Sequence, residues 1–327
     1  MDQSCDVLCV GLIVADLVCA PIAQFPPAGG LVTTQQLELT IGGCASNVAV
    51  DLARLNVAVG IAGRVGADPL GEFVQAELHR AHVSCAHVTV SQTAQTAATQ
   101  VVNVQGEDRR FIHAVGANAE LTGLELSDDA LTGVRILYVG GFGLNSAFSG
   151  EHVAALFRRA RQLGVTTVLD VVIGEPDLIR AMLPAALAET DLFLPNRDEG
   201  EVITGLDDPW AQARHFRKLG AGDVIVTCGA QGVVVLDRDG RTLRAPAHPV
   251  RQVDGTGGGD AFVAGYLYGR LRERSVEQCL SLGSAMGASC VQSAGATTGV
   301  FREAELLAYV AEHPLEILVE HRRSEPA

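Results

Sequence analysis

VDGTGGGDAFVAGYLYGRL, residues 253–271, sets a turn of Asp254, Gly255, Thr256 and the glycines 257, 258 and 259 directly against a helical pattern that begins near Asp260. Consecutive glycines let the backbone approach a ligand with no Cβ in the way, and a helix start adds unpaired N–H groups and the positive end of its dipole. The stretch reads as an anion-binding turn suited to phosphate. Asp260 is its odd member, because a carboxylate repels phosphate. Two readings of that residue stand: a general base that takes the proton of an attacking hydroxyl while the amides hold the phosphoryl oxygens, or an Asp that merely caps the helix.

Upstream of this turn, DVLCVGLIVADLV at 6–18 is an apolar run broken by Gly11, the pattern of a buried strand leading into a turn, with Asp16 expected just past its end. Short apolar runs recur at VAVGIAGRVG (57–66), VRILYVGGFG (134–143), TTVLDVVIG (166–174), DLFLPN (191–196) and DVIVTCG (223–229). Amphipathic stretches such as EHVAALFRRARQLG (151–164) and PWAQARHFRKLG (209–220) separate them. The alternation predicts an α/β fold, a mainly parallel central sheet flanked by helices in three layers. At 97–115 the texture changes: AATQVVNV and RRFIHAV flank the turn QGED, as in an antiparallel hairpin. With the segments near 15–20 and 31–39 this hairpin is expected to form a small sheet projecting from one domain that spans residues 1–327. The tail HRRSEPA (321–327) reads as frayed.

The composition narrows the partners. With 24 Lys and Arg against 38 Asp and Glu, the net charge of −14 repels nucleic acid and acidic membrane surfaces. No run approaches the roughly 20 apolar residues of a membrane span. The N-terminus opens with acidic residues where a signal peptide carries basic ones, so cytoplasmic residence is expected. Eight scattered cysteines read as reduced core fillers rather than a disulfide scaffold. A Walker-type G-x-x-x-x-G-K-[ST] run is missing, and Gly11 after the first strand is too little glycine for a nicotinamide-binding turn. His79, His82, Cys85 and His87 crowd together in HRAHVSCAH but lack the paired spacing of a zinc site.

A second glycine signal lies in IGGCASNVAVDLARLNVAVGIAGRVGADPLG, residues 41–71, where Gly42 and Gly43 precede a helical pattern that contains Asn47 and runs to Leu55. Asn47 offers a donor and an acceptor to a polyol, or caps the helix. Taken together, the two glycine segments resemble the paired signatures of the ribokinase-like (PfkB) carbohydrate kinase family. Gly42, Gly43 and Asn47 match its GG-x-x-x-N helix, and Gly63, Val65, Gly66 and Asp68 match its G-x-V-G-x-D turn. Asp254 to Asp260 match D-T-x-G-A-G-D, and Asn196 and Glu199 in PNRDEGEVITG match N-x-x-E. The motifs keep the family's order over nearly the whole chain.

The resemblance implies an ATP-dependent kinase acting on a hydroxyl, usually primary, with Asp260 as base and the amides of Gly257, Gly258 and Gly259 as anion hole. It implies that Asp16, Gly42, Gly43 and Asn47 grip the acceptor. Asn196 and Glu199 would hold Mg2+ through water, and the nucleotide would lie by Thr227, Gly229, Gly232, Ser284 and Gly295. Many relatives also bind a monovalent cation such as K+ beside the anion hole. The hairpin corresponds to the family's lid, which in many members pairs with a second subunit into a homodimer. Arg109, Arg110 and His113 on it either point inward or are solvated hairpin charges. Gly255 replaces the usual Thr and Gly258 the usual Ala. Cys44 stands where phosphate-using members often carry Lys in GGKG, which favours an unphosphorylated sugar or a nucleoside. Phe111 and Phe142 are the candidates to stack on a base. Outside the enzyme class, the same residues would suit an idle sugar- or nucleotide-binding sensor.

Overall fold

The computed structural model describes residues 5–107 and 109–320; the tail at 321–327 and Asp108 of the hairpin turn lie outside the described residues. The strands, in chain order, are β1 (Val7–Gly11), β2 (Val14–Cys19), β3 (Leu37–Gly42), β4 (Val59–Gly66), β5 (Ser84–Ser91), β6 (Ala98–Val102) and β7 (Arg110–Ala114). They continue with β8 (Ile136–Phe142), β9 (Thr166–Val171), β10 (Leu192–Phe193), β11 (Asp223–Thr227), β12 (Val233–Leu236), β13 (Thr242–Ala245) and β14 (Leu318–Glu320). The helices are α1 (Cys44–Arg54), α2 (Pro69–Arg80), α3 (Gly150–Gln162), α4 (Pro176–Leu187), α5 (Arg197–Thr204), α6 (Pro209–Lys218), α7 (Gly258–Leu271), α8 (Val276–Cys290) and α9 (Glu303–Glu312).

Every residue of β1 is buried, because a strand covered on both faces needs apolar side chains at every position. Its side chains alternate between two cores. Val7 and Cys9 pack with Val48, Leu52, Phe262 and Tyr266 of α1 and α7; Leu8 and Val10 pack with Val153, Leu156 and Phe157 of α3. These two cores are the outer boundaries of a sheet ordered β14-β13-β12-β11-β10-β9-β8-β1-β4-β5. From β11 to β5 neighbouring strands run parallel, and β12 to β14 add an antiparallel edge. The expected α/β architecture is therefore present. No helix among the described residues is long and apolar enough to cross a membrane.

A separate sheet is ordered β3-β2-β6-β7. β2 pairs antiparallel with β3 and parallel with β6, and β6 pairs antiparallel with β7. One expectation needs correction here. The segment near 31–39 is strand only from Leu37, and that strand runs on to Gly42. Asp16 lies past the end of β1, inside β2, which supplies the expected segment near 15–20. The break between β1 and β2 falls at Gly11, where φ is 140° and a Cβ would stand 2.0 Å from the Gly140 carbonyl oxygen. The chain turns there, and only Leu12 and Ile13 separate the large sheet from the small one.

Candidate active site

β1 lies where the strand order reverses, since the chain moves out to β4 and β5 on one side and to β8 through β11 on the other. Ligands of open α/β sheets bind at the carboxyl ends beside such a point. The two glycine signals meet there. Gly43 caps α1 with φ 91° and no side-chain cap, and a Cβ on it would stand 2.5 Å from the Leu12 carbonyl oxygen. That close approach starts α1 against β1 and turns Asn47, only 4 % exposed, inward. Its Nδ2 donates to Asp260 Oδ2 at 2.8 Å, so Asn47 is neither a cap nor solvated.

Asp260 is not a cap either. The cap of α7 is Gly257, with φ 76°, and its carbonyl accepts from Ala261 N–H at 2.8 Å. Asp260 stands in the first turn, aimed at α1. Burial pushes its carboxyl up to about 6, while bonds from Asn47 and Cys44 pull it down and the Asp16 charge adds a further push upward.

Asp254 shapes the turn before α7. Its Oδ1 accepts from the Thr256 amide at 2.9 Å and hydroxyl at 2.7 Å, and its Oδ2 accepts from Gly295 N–H at 3.0 Å. The Ala296 carbonyl oxygen lies 2.3 Å from where a Gly257 Cβ would be, so only glycine fits. Of the three amides expected to form an anion hole, that of Gly258 already reaches the Gly255 carbonyl at 3.3 Å. Those of Gly257 and Gly259 have no protein acceptor among the described residues.

On the small sheet, Asp16 lies against Gly42 so closely that a Cβ there would be 2.0 Å from Asp16 Oδ2. Asp16 is 8 % exposed. Burial lifts its carboxyl to about 6 against a hydrogen bond from Thr99, and Oδ1 has no donor among the described residues. Thr99 Oγ1 in turn meets His113 Nδ1 at 3.0 Å, so His113 points inward. Arg109 also points inward. Its NH1 lies 2.8 Å from the place of a Gly255 Cβ, with Gln252 Nε2 at 3.0 Å from the same point. Arg110 is a surface charge, paired with Glu107 and set over the Phe25 ring. Phe111 is 53 % exposed, whereas Phe142, the other stacking candidate, is 2 % exposed and belongs to the core.

Asn196 and Glu199 form a capping box at the start of α5: Asn196 Oδ1 accepts from Glu199 N–H, and Glu199 Oε2 accepts from Asn196 N–H, both at 2.8 Å. Burial nevertheless lifts the Glu199 carboxyl to about 8; the Asn196 backbone bond opposes this, and Asp260 and Asp198 add to it. Asn196 bridges to Thr227 at the end of β11. Gly229 and Gly232 follow with φ of 54° and 90°. Ser284 is half-buried on α8, one turn before Gly287, which packs on the Gly258 carbonyl. Asp68 serves the frame. It caps α2 and accepts from the Thr96 amide and hydroxyl, both at 2.7 Å, bonds that hold it below the usual range against the upward pull of burial.

Two acids at the site were not singled out from the sequence. Asp170, in β9, is raised well above the carboxylate range by burial and by Glu199 and Asp260, and accepts from the Tyr138 hydroxyl at 3.0 Å. Asp51, one turn beyond Asn47, is fully buried, with neither oxygen given a donor among the described residues. An acid inside an otherwise apolar run, as in VLDVV or VAVDLA, was the available signal. His79, His82, Cys85 and His87 form no cluster. The one gathering of three metal-capable side chains among the described residues is Cys44, Asp170 and Asp260.

The sequence profile of the pfkB family carbohydrate kinases matches residues 5–302. The chain belongs to that family. This pfkB kinase is similar to the ribokinase of Haemophilus influenzae, 26% identical over 311 residues that make up 93% of this chain and 97% of that protein. It is 25% identical to the 5-dehydro-2-deoxygluconokinase of Clostridium perfringens over 77% of this chain and 78% of that one. The aminoimidazole riboside kinase of Salmonella typhimurium is 27% identical over 84% and 89%. The structure of Arabidopsis thaliana ribokinase complexed with ribose and ATP superimposes with a TM-score of 0.80 over 94% of this chain and 98% of that one, at 22% identity, a likeness of fold.

Proposed function

We propose that this pfkB kinase transfers the γ-phosphoryl group of ATP to a primary hydroxyl of an unphosphorylated sugar or sugar derivative. The observation that carries the reading is Asp260, aligned by Asn47 at 2.8 Å in the first turn of a helix whose Gly257 and Gly259 amides have no protein acceptor among the described residues. Asp260 accepts the hydroxyl proton as that oxygen bonds to the γ-phosphorus, the bond to the β-phosphate oxygen breaks, and ADP leaves. The two amides and the α7 dipole stabilise charge on the phosphoryl oxygens. Asp16, with one oxygen lacking a donor, accepts from acceptor hydroxyls across the glycine pair 42–43. Arg109, stationed over Gly255, brings positive charge from the small sheet to the phosphoryl turn, and that sheet acts as a lid that excludes water.

The surplus of acid at the base supports a divalent cation, since Glu199 is pushed up to about 8 with further acids around it. Asn196 and Glu199 would hold Mg2+ through water. When bound, it neutralises phosphate oxygens. The carbonyls of Thr256 and Ala296, gathered around Cys290 Sγ at 3.3 and 3.1 Å, are the oxygen-rich wall that a K+ requirement would use. Cys44, in place of a lysine, supports an unphosphorylated acceptor. A nucleoside is the second reading, favoured by the likeness to aminoimidazole riboside kinase and by Phe111, an exposed ring with the Arg109 guanidinium 5.4 Å from its centroid. Exposed Leu37, Leu39, Phe111 and Ile112 on the small sheet support a homodimer through it. Eight free thiols fit a reducing cytoplasm.

The deciding assay follows ADP release from ATP with Mg2+ and either K+ or Na+, over free sugars, sugar acids and nucleosides, with Asp260→Asn as control. Selective turnover of one sugar class, lost in the control, supports the reading. Turnover confined to nucleosides replaces it with the second, and equal turnover in the control removes Asp260 as base.

A further inference from the structure

Cys44 Sγ, an oxygen of Asp170 and an oxygen of Asp260 all lie within 4.8 Å of one another, although they come from α1, β9 and α7. Two features beyond that gathering bear on what it could hold. The Tyr138 hydroxyl donates to Asp170 Oδ2 at 3.0 Å, the outer support that orients a ligating carboxylate. Asn47, 4 % exposed, gives its amide to Asp260 at 2.8 Å and leaves its buried Oδ1 with no donor among the described residues. Three metal-capable side-chain atoms thus gather beside an Asn47 side chain that reaches Asp260 and keeps an unpartnered carbonyl oxygen, and among the described residues no cationic side chain bonds to any of the three.

We infer that Cys44, Asp170 and Asp260 form a binding site for a thiophilic divalent cation of the Zn2+ type, distinct in chemistry from the Mg2+ that travels with nucleotide. One sulfur and two carboxylate oxygens are a borderline-soft donor set, which Zn2+ accepts and Mg2+ refuses. Tetrahedral Zn2+ with its ordinary bond lengths brings sulfur and oxygen ligands to about 3.5 Å from each other. The three atoms therefore close by roughly 1.3 Å at most, a rotamer adjustment. The fourth position is filled by water. As the metal–ligand bonds form, the Cys44 thiol proton and the proton that burial keeps on Asp170 pass to solvent, so binding releases protons and strengthens as pH rises. The ion occupies the lone pair with which Asp260 would take a proton. Loaded protein is therefore idle as a kinase, and removal of the ion restores it.

The test needs no turnover, so it stands apart from the choice of acceptor and from the assignment of the base. Reduced, chelator-treated protein without ATP or sugar is titrated with Co2+ and followed in the near ultraviolet. The expected result is a thiolate-to-cobalt charge-transfer band that saturates at one equivalent, is displaced by Zn2+ and not by Mg2+, and is absent in Cys44→Ser. Asp170→Asn weakens Co2+ binding roughly ten- to hundredfold. No band in the wild-type chain, or an unchanged band in Cys44→Ser, overturns the site. Should the variants fail to fold, the unmutated protein answers through alkylation of Cys44 read by peptide mass spectrometry. One equivalent of Zn2+ slows that labelling at least tenfold if the site exists, and labelling at the same rate with and without Zn2+ overturns it.

Discussion

Asp260, the proposed base, must be ionised when its substrate arrives, and burial lifts it to about 6 against the help of Asn47. We expect kcat/KM to fall tenfold per pH unit below about 6, an acid limb that Asp260→Asn abolishes while lowering kcat roughly 10²–10⁴-fold and leaving ATP binding in place. Stability moves the other way. A carboxyl whose folded value lies above its unfolded one destabilises the fold once ionised, so that cost is absent below about pH 4, grows between about 4 and 6, and is full above. Asp260→Asn should therefore raise Tm at pH 8 and leave it unchanged near pH 3.5, as calorimetry would read. Asp16 carries the same kind of strain, and Asp16→Asn should raise KM for the acceptor more than it lowers kcat. Asp260 was singled out because glycines frame it, whereas Asp16 stood out only as an acid past the strand broken at Gly11 and took its role from the family resemblance. Asp170 was not, since a single acid in VLDVV gives no partner to pair it with, and Tyr138 and Cys44 reach it only in the folded chain.

At the scale of elements, the glycines decide where the helices begin. Gly43→Ala puts a methyl group 2.5 Å from the Leu12 carbonyl at φ 91°. It should cost about 1–3 kcal/mol, read by denaturant unfolding, and disengage Asn47 from Asp260. Gly255 has another neighbour, the Arg109 guanidinium, which can move aside. Gly255→Thr should fold normally yet lower kcat/KM by roughly tenfold, the order of one charge-assisted hydrogen bond. Arg109→Ala should do the same, and the double variant should be no worse than either single one; additive losses would separate the two residues. The large strands could be read because a strand buried on both faces has no polar positions to confuse its period. β3 was misplaced because half of it faces solvent, Leu37 to Leu39 being exposed, so its apolar pattern does not mark where pairing with β2 begins. The N-x-x-E match singled out Asn196 and Glu199, but their capping box appears only once α5 has formed.

For the molecule as a whole, the exposed apolar residues of β3 and β7 are the place to look for self-association. Phe111→Ser combined with Ile112→Ser should shift a dimer to monomer in light scattering, whereas an unchanged mass would put any interface elsewhere. The chain passes between the two sheets four times, most tightly through Leu12 and Ile13, and this short join has a thermodynamic consequence. Asp16 rides on the small sheet, while Asp260 and the amide turn ride on the body of the large one. A ligand that draws the first toward the second does work on a joint the other ligand also uses. Sugar and nucleotide then form a reciprocal pair: whatever factor one adds to the other's affinity, it must receive back in equal measure.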